Sequence, residues 1–196
     1  MKRLAVLLLT FILASLSVHA AYSTGSTVSF GHDTDGSDLE WLVLRVEDDR
    51  ALIFSKEIIL QKSYNRRYAS VTWETCTLRA YLNSEEEDGF LSIYFTAEER
   101  ARILTTEVST DGEVTEDRVY IMSVDDCNKY LYYRQNRIME YGGTGSYWWL
   151  RSGGISSHFT SYVALDGKIN ARGRVNFSKG GIRPMMWITL PEETGE

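Results

Sequence analysis

The stretch Tyr147-Trp148-Trp149-Leu150-Arg151 says most about the fold of this chain. It is short, apolar and bounded by glycines, which is typical of a buried β-strand. Successive side chains of a strand point to opposite faces of a sheet, so Trp148 and Trp149 are expected to face in opposite directions. Arg151 lies among apolar residues and needs acceptors there. We therefore expect it to organise the core through carboxylates or backbone carbonyls.

Short runs with alternating apolar residues lie on both sides of this stretch, and we interpret them as strands. Together with 147–151, the strand candidates are residues 27–30, 39–46, 51–55, 118–122, 162–165, 173–177 and 182–190. Arg79 and Arg183 also have apolar neighbours, so the same structural role is predicted for them. A core position is expected for the remaining tryptophans, which are Trp41, Trp73 and Trp187.

Helices are predicted where a capping residue precedes an amphipathic run. Thr72 precedes one such run. Thr96 with Glu99, and Ser123 with Asp126, have the spacing of a capping box, in which the two residues satisfy each other's free backbone donors.

Strands, then helices, then more strands predict a single α+β domain over residues 21–190. We expect short, mainly antiparallel strands, two or three short helices and a loop-rich C-terminal half. The glycine-rich residues 142–145 are interpreted as a flexible connector, because they lack the lysine of a phosphate-binding loop. Residues 191–196 are predicted to be a disordered polar tail.

Residues 1–20 have the organisation of a cleavable secretory signal peptide. Lys2 and Arg3 precede an apolar run, 4–16, that is too short to span a bilayer of about 30 Å as a helix, and small residues follow it. We expect cleavage after Ala20; an N-terminal membrane anchor is the alternative. Cleavage predicts a secreted or extracytoplasmic protein, in the periplasm or at the cell surface, without stable membrane insertion.

The net charge of −6 becomes −8 when Lys2 and Arg3 are removed with the leader. Nucleic acid and anionic membrane surfaces are poor partners for so acidic a chain. Export would also allow Cys76 and Cys127 to form a disulfide. Their spacing leaves two possibilities open, a bridge or two separately buried thiols.

Patterns for the common catalytic chemistries are missing. Beyond the leader the histidines are His32 and His158, without Cys-x-x-Cys or His-x-x-x-His spacing, so no zinc site is expected. The Gly-x-Ser-x-Gly elbow of serine hydrolases is also absent. Residues 32–38 gather three aspartates around a glycine, but that glycine is misplaced for an EF-hand. We interpret this loop as a solvated acidic turn and expect neither a metal nor a cofactor.

Several separated motifs are informative through their order. They are Phe30-Gly31, Trp41-Leu42-Val43-Leu44, Ala51-Leu52-Ile53-Phe54-Ser55, Tyr64-Asn65, Thr72-Trp73-Glu74, Leu78-Arg79, Tyr81-Leu82-Asn83, residues 117–123, Trp148-Trp149-Leu150-Arg151-Ser152, and Gly181-Ile182-Arg183-Pro184 with Trp187. In this order they resemble a bacterial family of unknown function, domain of unknown function 6273, over residues 28–188. The acidic residues 84–89 and Gly153 depart from that family's pattern.

The Trp-Trp-Leu-Arg-Ser and Gly-Ile-Arg-Pro motifs more distantly resemble C-type lectin-like domains and the formylglycine-generating enzyme fold. That resemblance implies that the N- and C-terminal strands lie side by side and that late loops carry any binding site. It implies no catalytic residues, since the family's activity is unknown and this chain has no cysteine in its C-terminal part.

A non-enzymatic exported module that binds an extracellular or envelope ligand, most plausibly a glycan or a peptide, is the leading hypothesis for function. The alternatives are an exported hydrolase whose catalytic residues are dispersed in the sequence and a structural component of the cell envelope. The candidate binding surface is formed by two predicted loops, residues 153–162 and 166–174, which are rich in polar groups and glycine. Its candidate ligand-binding residues are His158, Phe159, Tyr162, Lys168, Asn170 and Arg172.

Overall fold

The computed structural model of the protein describes residues 22–191. Its strands are β1 (Thr27–His32), β2 (Asp38–Glu47), β3 (Arg50–Ser55), β4 (Leu60–Ser63), β5 (Thr106–Thr110), β6 (Glu113–Asp117), β7 (Tyr120–Ile121), β8 (Met139–Tyr141), β9 (Thr144–Ser146), β10 (Trp148–Gly153), β11 (Phe159–Val163), β12 (Ile169–Val175), β13 (Lys179–Ile182) and β14 (Pro184–Thr189). The helices are α1 (Thr77–Leu82), α2 (Phe90–Tyr94), α3 (Ala97–Arg102) and α4 (Val124–Tyr130), with a 3₁₀ turn at Arg134–Arg137.

The first sheet has the strand order β1-β2-β3-β14-β7, and all its neighbours are antiparallel. Strand β3 lies at its centre, and residues 51–55 are all buried. This burial explains why the run Ala51-Leu52-Ile53-Phe54 is continuously apolar instead of alternating. The sheet is the scaffold against which the rest of the core packs.

The second sheet has the order β12-β11-β10-β13-β4, so β12 and β4 are its edges. Strands β10 and β13 are parallel, and the other pairs are antiparallel. Trp148 and Trp149 are both fully buried in β10, and their indoles reach different partners. The Nε1 of Trp148 donates to the carbonyl of Arg137 (2.9 Å), and that of Trp149 to the carbonyl of Lys62 (3.1 Å). The expected opposite orientation explains how two adjacent large rings can both be buried.

Two small hairpins were missed by the strand prediction. Strands β5 and β6 are joined by Asp111-Gly112, and β8 and β9 by Gly142-Gly143, with positive φ at all four residues. Two consecutive left-handed residues are the requirement of a type I′ hairpin turn, which Asp-Gly and Gly-Gly satisfy. The interpretation of residues 142–145 as a flexible connector was therefore wrong. The C-terminal half is also richer in strands than expected.

The helices partly follow the capping signals. Both capping boxes are confirmed, since Thr96 pairs with Glu99 at α3 and Ser123 with Asp126 at α4. The first helix begins later than expected, because the cap is Cys76, whose sulfur accepts the amide of Arg79, and not Thr72. Helix α2 has no side-chain cap and was missed. The count of two or three helices was thus too low, since residues 22–191 contain four.

The structural role expected for three arginines is confirmed. Arg151 donates to the carboxylate of Asp126 (2.5 Å) and to the hydroxyl of Thr110 (2.8 Å). Arg79 pairs with the buried Asp117 (2.6 Å). Among residues 22–191, Arg183 has no carboxylate partner; it donates to the carbonyls of residues 55 and 56 and lies over the rings of Phe54 and Trp148.

The terminal strands lie in one sheet but not side by side. Two strands, β2 and β3, separate β1 from β14, so the arrangement implied by the lectin-like resemblance is not observed. Arg102 connects the two strands instead. Its guanidinium donates to the carbonyl of Thr189 (2.8 Å) and lies over the ring of Phe30.

Trp41, Trp73, Trp148 and Trp149 are buried as expected, whereas Trp187 is only half-buried beneath the guanidinium of Arg50. Both cysteines are buried and free, which is the second of the two possibilities left open. The leader 1–20 and all but the first residue of the tail 191–196 lie outside the described residues. No helix within 22–191 has the length and apolar character needed to cross a membrane.

Candidate functional site

A cleft of about 220 Å³ opens between three segments that are distant in the sequence. One wall is the segment 71–73, the second is the turn of the β5–β6 hairpin, and the third is the loop 153–157 that follows β10. The side chains at its floor are buried, and those at its rim are exposed. The lining combines aromatic, hydroxyl and carboxylate groups, the mixture that orients small polar ligands.

The floor of the cleft is fixed by hydrogen bonds that leave its aromatic rings little freedom. The hydroxyl of Tyr64 donates to the carbonyl of Arg151 (3.1 Å), and the Nε1 of Trp73 donates to the carboxylate of Asp117 (2.8 Å). The rings of Tyr64 and Trp73 are 6.2 Å apart. Burial raises the pKa of Tyr64 well above its usual value, with a further contribution from the charge of Asp111. Tyr64 is therefore a neutral hydrogen-bonding group and not a nucleophile at neutral pH.

The hairpin wall carries two carboxylates, Asp111 and Glu113. The Oδ2 of Asp111 accepts the backbone amide of Gly153 (2.7 Å), which joins the hairpin turn to the opposite wall. Within residues 22–191, neither carboxylate has a lysine, arginine or histidine as an ion-pair partner. Both are therefore free to meet hydroxyl or amine donors of a ligand.

The third wall is a loop with a defined backbone. Gly154 donates its amide to the carbonyl of Phe159, and Ile155 donates to the carbonyl of Arg172, both at 2.8 Å. Ser157 bonds the first wall through its carbonyl, which accepts the amide of Val71 (3.0 Å). These bonds fix the cleft walls while the hydroxyls of Ser156 and Ser157 stay exposed at the rim.

Three exposed or half-buried rings lie beside the cleft, and we call them the aromatic platform. Tyr68 is 60 % exposed and packs against His158, with ring centroids 4.7 Å apart and ring planes inclined by 36°. Phe177 is 51 % exposed and meets Tyr68 edge-on at 6.0 Å. The platform adjoins the cleft directly, because the hydroxyl of Ser70 donates to that of Ser157 (2.6 Å).

The candidate residues chosen from the sequence lie on or next to the strand pair β11–β12. The segments 153–162 and 166–174 were expected to be loops, but they contain the paired strands β11 and β12. His158 belongs to the aromatic platform, whereas Phe159 begins β11 and is half-buried.

The other four candidates lie farther along this strand pair. Tyr162 is half-buried, and its hydroxyl accepts the amide of Asn170 (3.1 Å). Lys168, Asn170 and Arg172 line a shallow depression formed by residues 164–172. The structure thus brings Tyr162 together with Asn170 and leaves His158 at a different place on the surface.

Sequence reasoning missed most of the cleft and platform. Thr72, Asp111 and Glu113 come from segments that were assigned no binding role, as do Tyr68 and Phe177. The Asp111-Gly112 pair was a usable signal for a hairpin turn. Its position opposite residues 153–157 depends on tertiary contacts and has no local signature.

In the loop 32–38, two aspartate carboxylates accept hydrogen bonds from residues of the same loop. Asp33 accepts the amide of Thr34 (2.6 Å), and Asp35 accepts the amide (2.9 Å) and hydroxyl of Ser37. Residues 22–191 contain no group of three or more His, Cys, Asp or Glu side chains arranged to hold a metal ion.

Residues 48–190 match the model of a family described as "Domain of unknown function (DUF6273)". The match covers more than half of the chain, so the protein belongs to this family. It includes the Trp148-Trp149 and Arg183-Pro184 motifs and excludes Phe30-Gly31 and Trp41, which were also taken as family features. No curated protein and no solved structure matches the chain.

Proposed function

We propose that this protein is an exported, non-enzymatic binding module whose ligand, a glycan or a peptide, occupies the cleft. The observation that carries the proposal is the cleft itself, in which three hydrogen-bonded walls present hydroxyls and two carboxylates over an aromatic floor, and neither carboxylate has a cationic partner among residues 22–191. Such a rigid, polar concavity needs no large rearrangement before it binds a ligand. Export is supported by the leader-like residues 1–20.

A binding screen with a cleft-blocking variant tests this function. The full chain is expressed in a secreting bacterium, purified and screened against oligosaccharides, peptides and envelope fractions. Ser156→Trp is expected to abolish binding, because an indole at the exposed rim would fill the cleft. Ser29→Trp, at an exposed serine of β1, is the matched control and should bind normally. Absence of binding to every probe would reject the proposal, as would unchanged binding by Ser156→Trp.

The depression at Lys168, Asn170 and Arg172 is the competing binding surface. It is more open than the cleft, and its polar groups lie along an edge strand. The double variant Lys168→Ala/Arg172→Ala shows whether the ligand binds in this depression or in the cleft. If it loses the ligand while Ser156→Trp retains it, the surface chosen from sequence is the site.

A hydrolase is the second candidate function, and the pair Asp111 and Glu113 is the observation that favours it. Two carboxylates beside one cleft are the groups used by glycosidases as acid and base or nucleophile. Incubation with each bound oligosaccharide should then release reducing ends. The variants Asp111→Asn and Glu113→Gln should each remove that activity. A bound glycan that stays intact would assign the protein to binding alone.

A further inference from the structure

We propose that the ligand is a glycan and that one of its pyranose rings stacks on the aromatic platform of Tyr68, His158 and Phe177. This inference rests on the proposed function and names the ligand class of that site. The chemistry of the aromatic platform beside the cleft is the reason for choosing a glycan over a peptide.

The platform has an unusual combination of exposure and order. Tyr68 and Phe177 each leave more than half of their surface in water, yet both belong to one contact cluster with His158. The segment that carries Tyr68 is held in place, because the amide of the buried Asn176 side chain donates to the carbonyl of Ala69 (2.8 Å). A cluster of preordered rings offers apolar contact without an entropic cost of ordering the side chains.

A pyranose ring fits this surface better than a peptide does. Its faces consist of C–H groups that pack on aromatic rings, and its rim consists of hydroxyls that need hydrogen-bond partners. The platform supplies the rings, while Ser70 and Ser157 supply hydroxyls at its border with the cleft. The rim of the cleft continues with Thr72, Ser156 and Asp111, which are exposed polar groups and not a pocket for an apolar side chain.

The two surfaces are continuous, so the glycan should span them. Ser157 lines the cleft, and the next residue, His158, is part of the platform. The backbone bond from Val71 to Ser157 closes the junction between them. One sugar unit would therefore stack on Tyr68 while the adjoining unit enters the cleft, and disaccharides or longer chains should bind better than monosaccharides.

The test compares binding of an oligosaccharide panel of two to six units with binding of a peptide library, using the full chain purified after secretion. Tyr68→Ala/Phe177→Ala is expected to lower affinity for the bound oligosaccharide by about tenfold or more, because aromatic anchors dominate such contacts. Tyr132→Ala is the matched control, since Tyr132 is 74 % exposed but outside the platform. Its affinity should equal that of the wild type, and neither variant should lower the melting temperature.

Histidine NMR signals give an independent readout. Residues 22–191 contain only His32 and His158, and His158 alone stacks in the platform. Bound oligosaccharide should shift the ring signals of His158 and leave those of His32 unchanged.

The outcomes distinguish this inference from the proposed function. Binding of peptides but no oligosaccharide would overturn the glycan assignment and leave a binding module in place. Oligosaccharide binding that Tyr68→Ala/Phe177→Ala does not weaken would overturn the platform. Binding of neither class would reject both proposals.

Discussion

The two ends of the β5–β6 hairpin differ in how their carboxylates are used. We call the end at Asp117, where the two strand termini meet in the core, the closed end, and the turn at Asp111-Gly112, which borders the cleft, the open end. At the closed end, Asp117 is buried and accepts hydrogen bonds from the indole of Trp73 (2.8 Å) and the guanidinium of Arg79 (2.6 Å). At the open end, Asp111 and Glu113 stand at the cleft without a cationic partner among residues 22–191. One short hairpin thus has an end fixed in the core and an end presented to solvent.

This difference shows which carboxylates contribute to the stability of the fold. A buried carboxylate is tolerated only when donors surround it, so its partners and its position are fixed together. An exposed carboxylate needs no partner and contributes little to stability. The carboxylates of Asp111 and Glu113 can therefore change without unfolding the hairpin, whereas removal of the Asp117 carboxylate costs stability.

The largest effect is expected from Arg151→Met. This guanidinium joins the last residues of β5 to helix α4, through the hydroxyl of Thr110, the carbonyl of Ser109 and the carboxylate of Asp126. Its loss leaves a half-buried carboxylate without a cation, and unfolding by urea should show a loss of about 3–5 kcal/mol. A loss below about 1 kcal/mol would show that this pairing does not hold the hairpin.

A smaller loss is expected from Asp117→Ala at the closed end. The indole of Trp73 and the guanidinium of Arg79 lose their acceptor, but Arg79 is partly exposed and can reach water. We expect about 2–3 kcal/mol in the same urea experiment. Glu116→Ala is the control, because Glu116 is the exposed neighbour and should change stability by about 0.5 kcal/mol at most.

Acid should weaken the fold through Asp126. Burial alone would raise the pKa of this carboxyl, but the charge of Arg151 and hydrogen bonds from Ser123 outweigh burial and hold the pKa below its usual value. A group whose pKa is lowered by folding contributes stability above its unfolded pKa and loses it as pH falls through the folded value. Melting temperature should therefore fall below about pH 4. In Asp126→Asn the melting temperature should decrease less below about pH 4. In the control Asp125→Asn, at an exposed neighbour, it should decrease as in the wild type.

At the open end, Asp111→Asn/Glu113→Gln should change the free energy of unfolding by about 0.5 kcal/mol at most. Asparagine keeps an oxygen for the amide of Gly153 and tolerates the positive φ of residue 111. The same variant should weaken ligand binding, which calorimetry measures. A destabilisation as large as that of Asp117→Ala would remove the distinction between the two ends.

The smallest effect is expected from reducing agent. Cys76 caps helix α1 beside the closed end, and Cys127 is buried in α4. Burial raises the pKa of each thiol to about 11, so neither forms much reactive thiolate at neutral pH. Dithiothreitol should leave the melting temperature unchanged, and alkylation should require unfolding. A mass lower by two hydrogen atoms before reduction would reveal a bridge.

The sequence predicts the parts of this fold that local patterns determine. The continuous apolar run of β3 and the capping box at Thr96 are readable because burial and backbone satisfaction act on neighbouring residues. The family is readable from the order of its motifs, over residues 48–190. The strand order is less readable, because neighbours such as β10 with β13 and β3 with β14 join residues distant in the chain.

The candidate site could be predicted only in part. The sequence selects His158 as a candidate residue, but its ring partner Tyr68 is far away in the sequence. The cleft requires three segments to meet, and contacts such as those of Arg151 with β5, of Asp111 with Gly153 and of Val71 with Ser157 bring them together. Neither the hydrophobic periodicity nor the residue spacing within one segment predicts such a tertiary contact.

The bend in edge strand β12 has a consequence for how the protein behaves at high concentration. Gly173 has a φ of 85°, and the pairing register with β11 shifts between Thr160 and Tyr162. Arg172 and Arg174 flank the bend and are exposed. An extended segment from another molecule would therefore meet a curved, positively charged border instead of a straight row of free amides. Such an edge discourages fibre growth and should keep concentrated solutions clear.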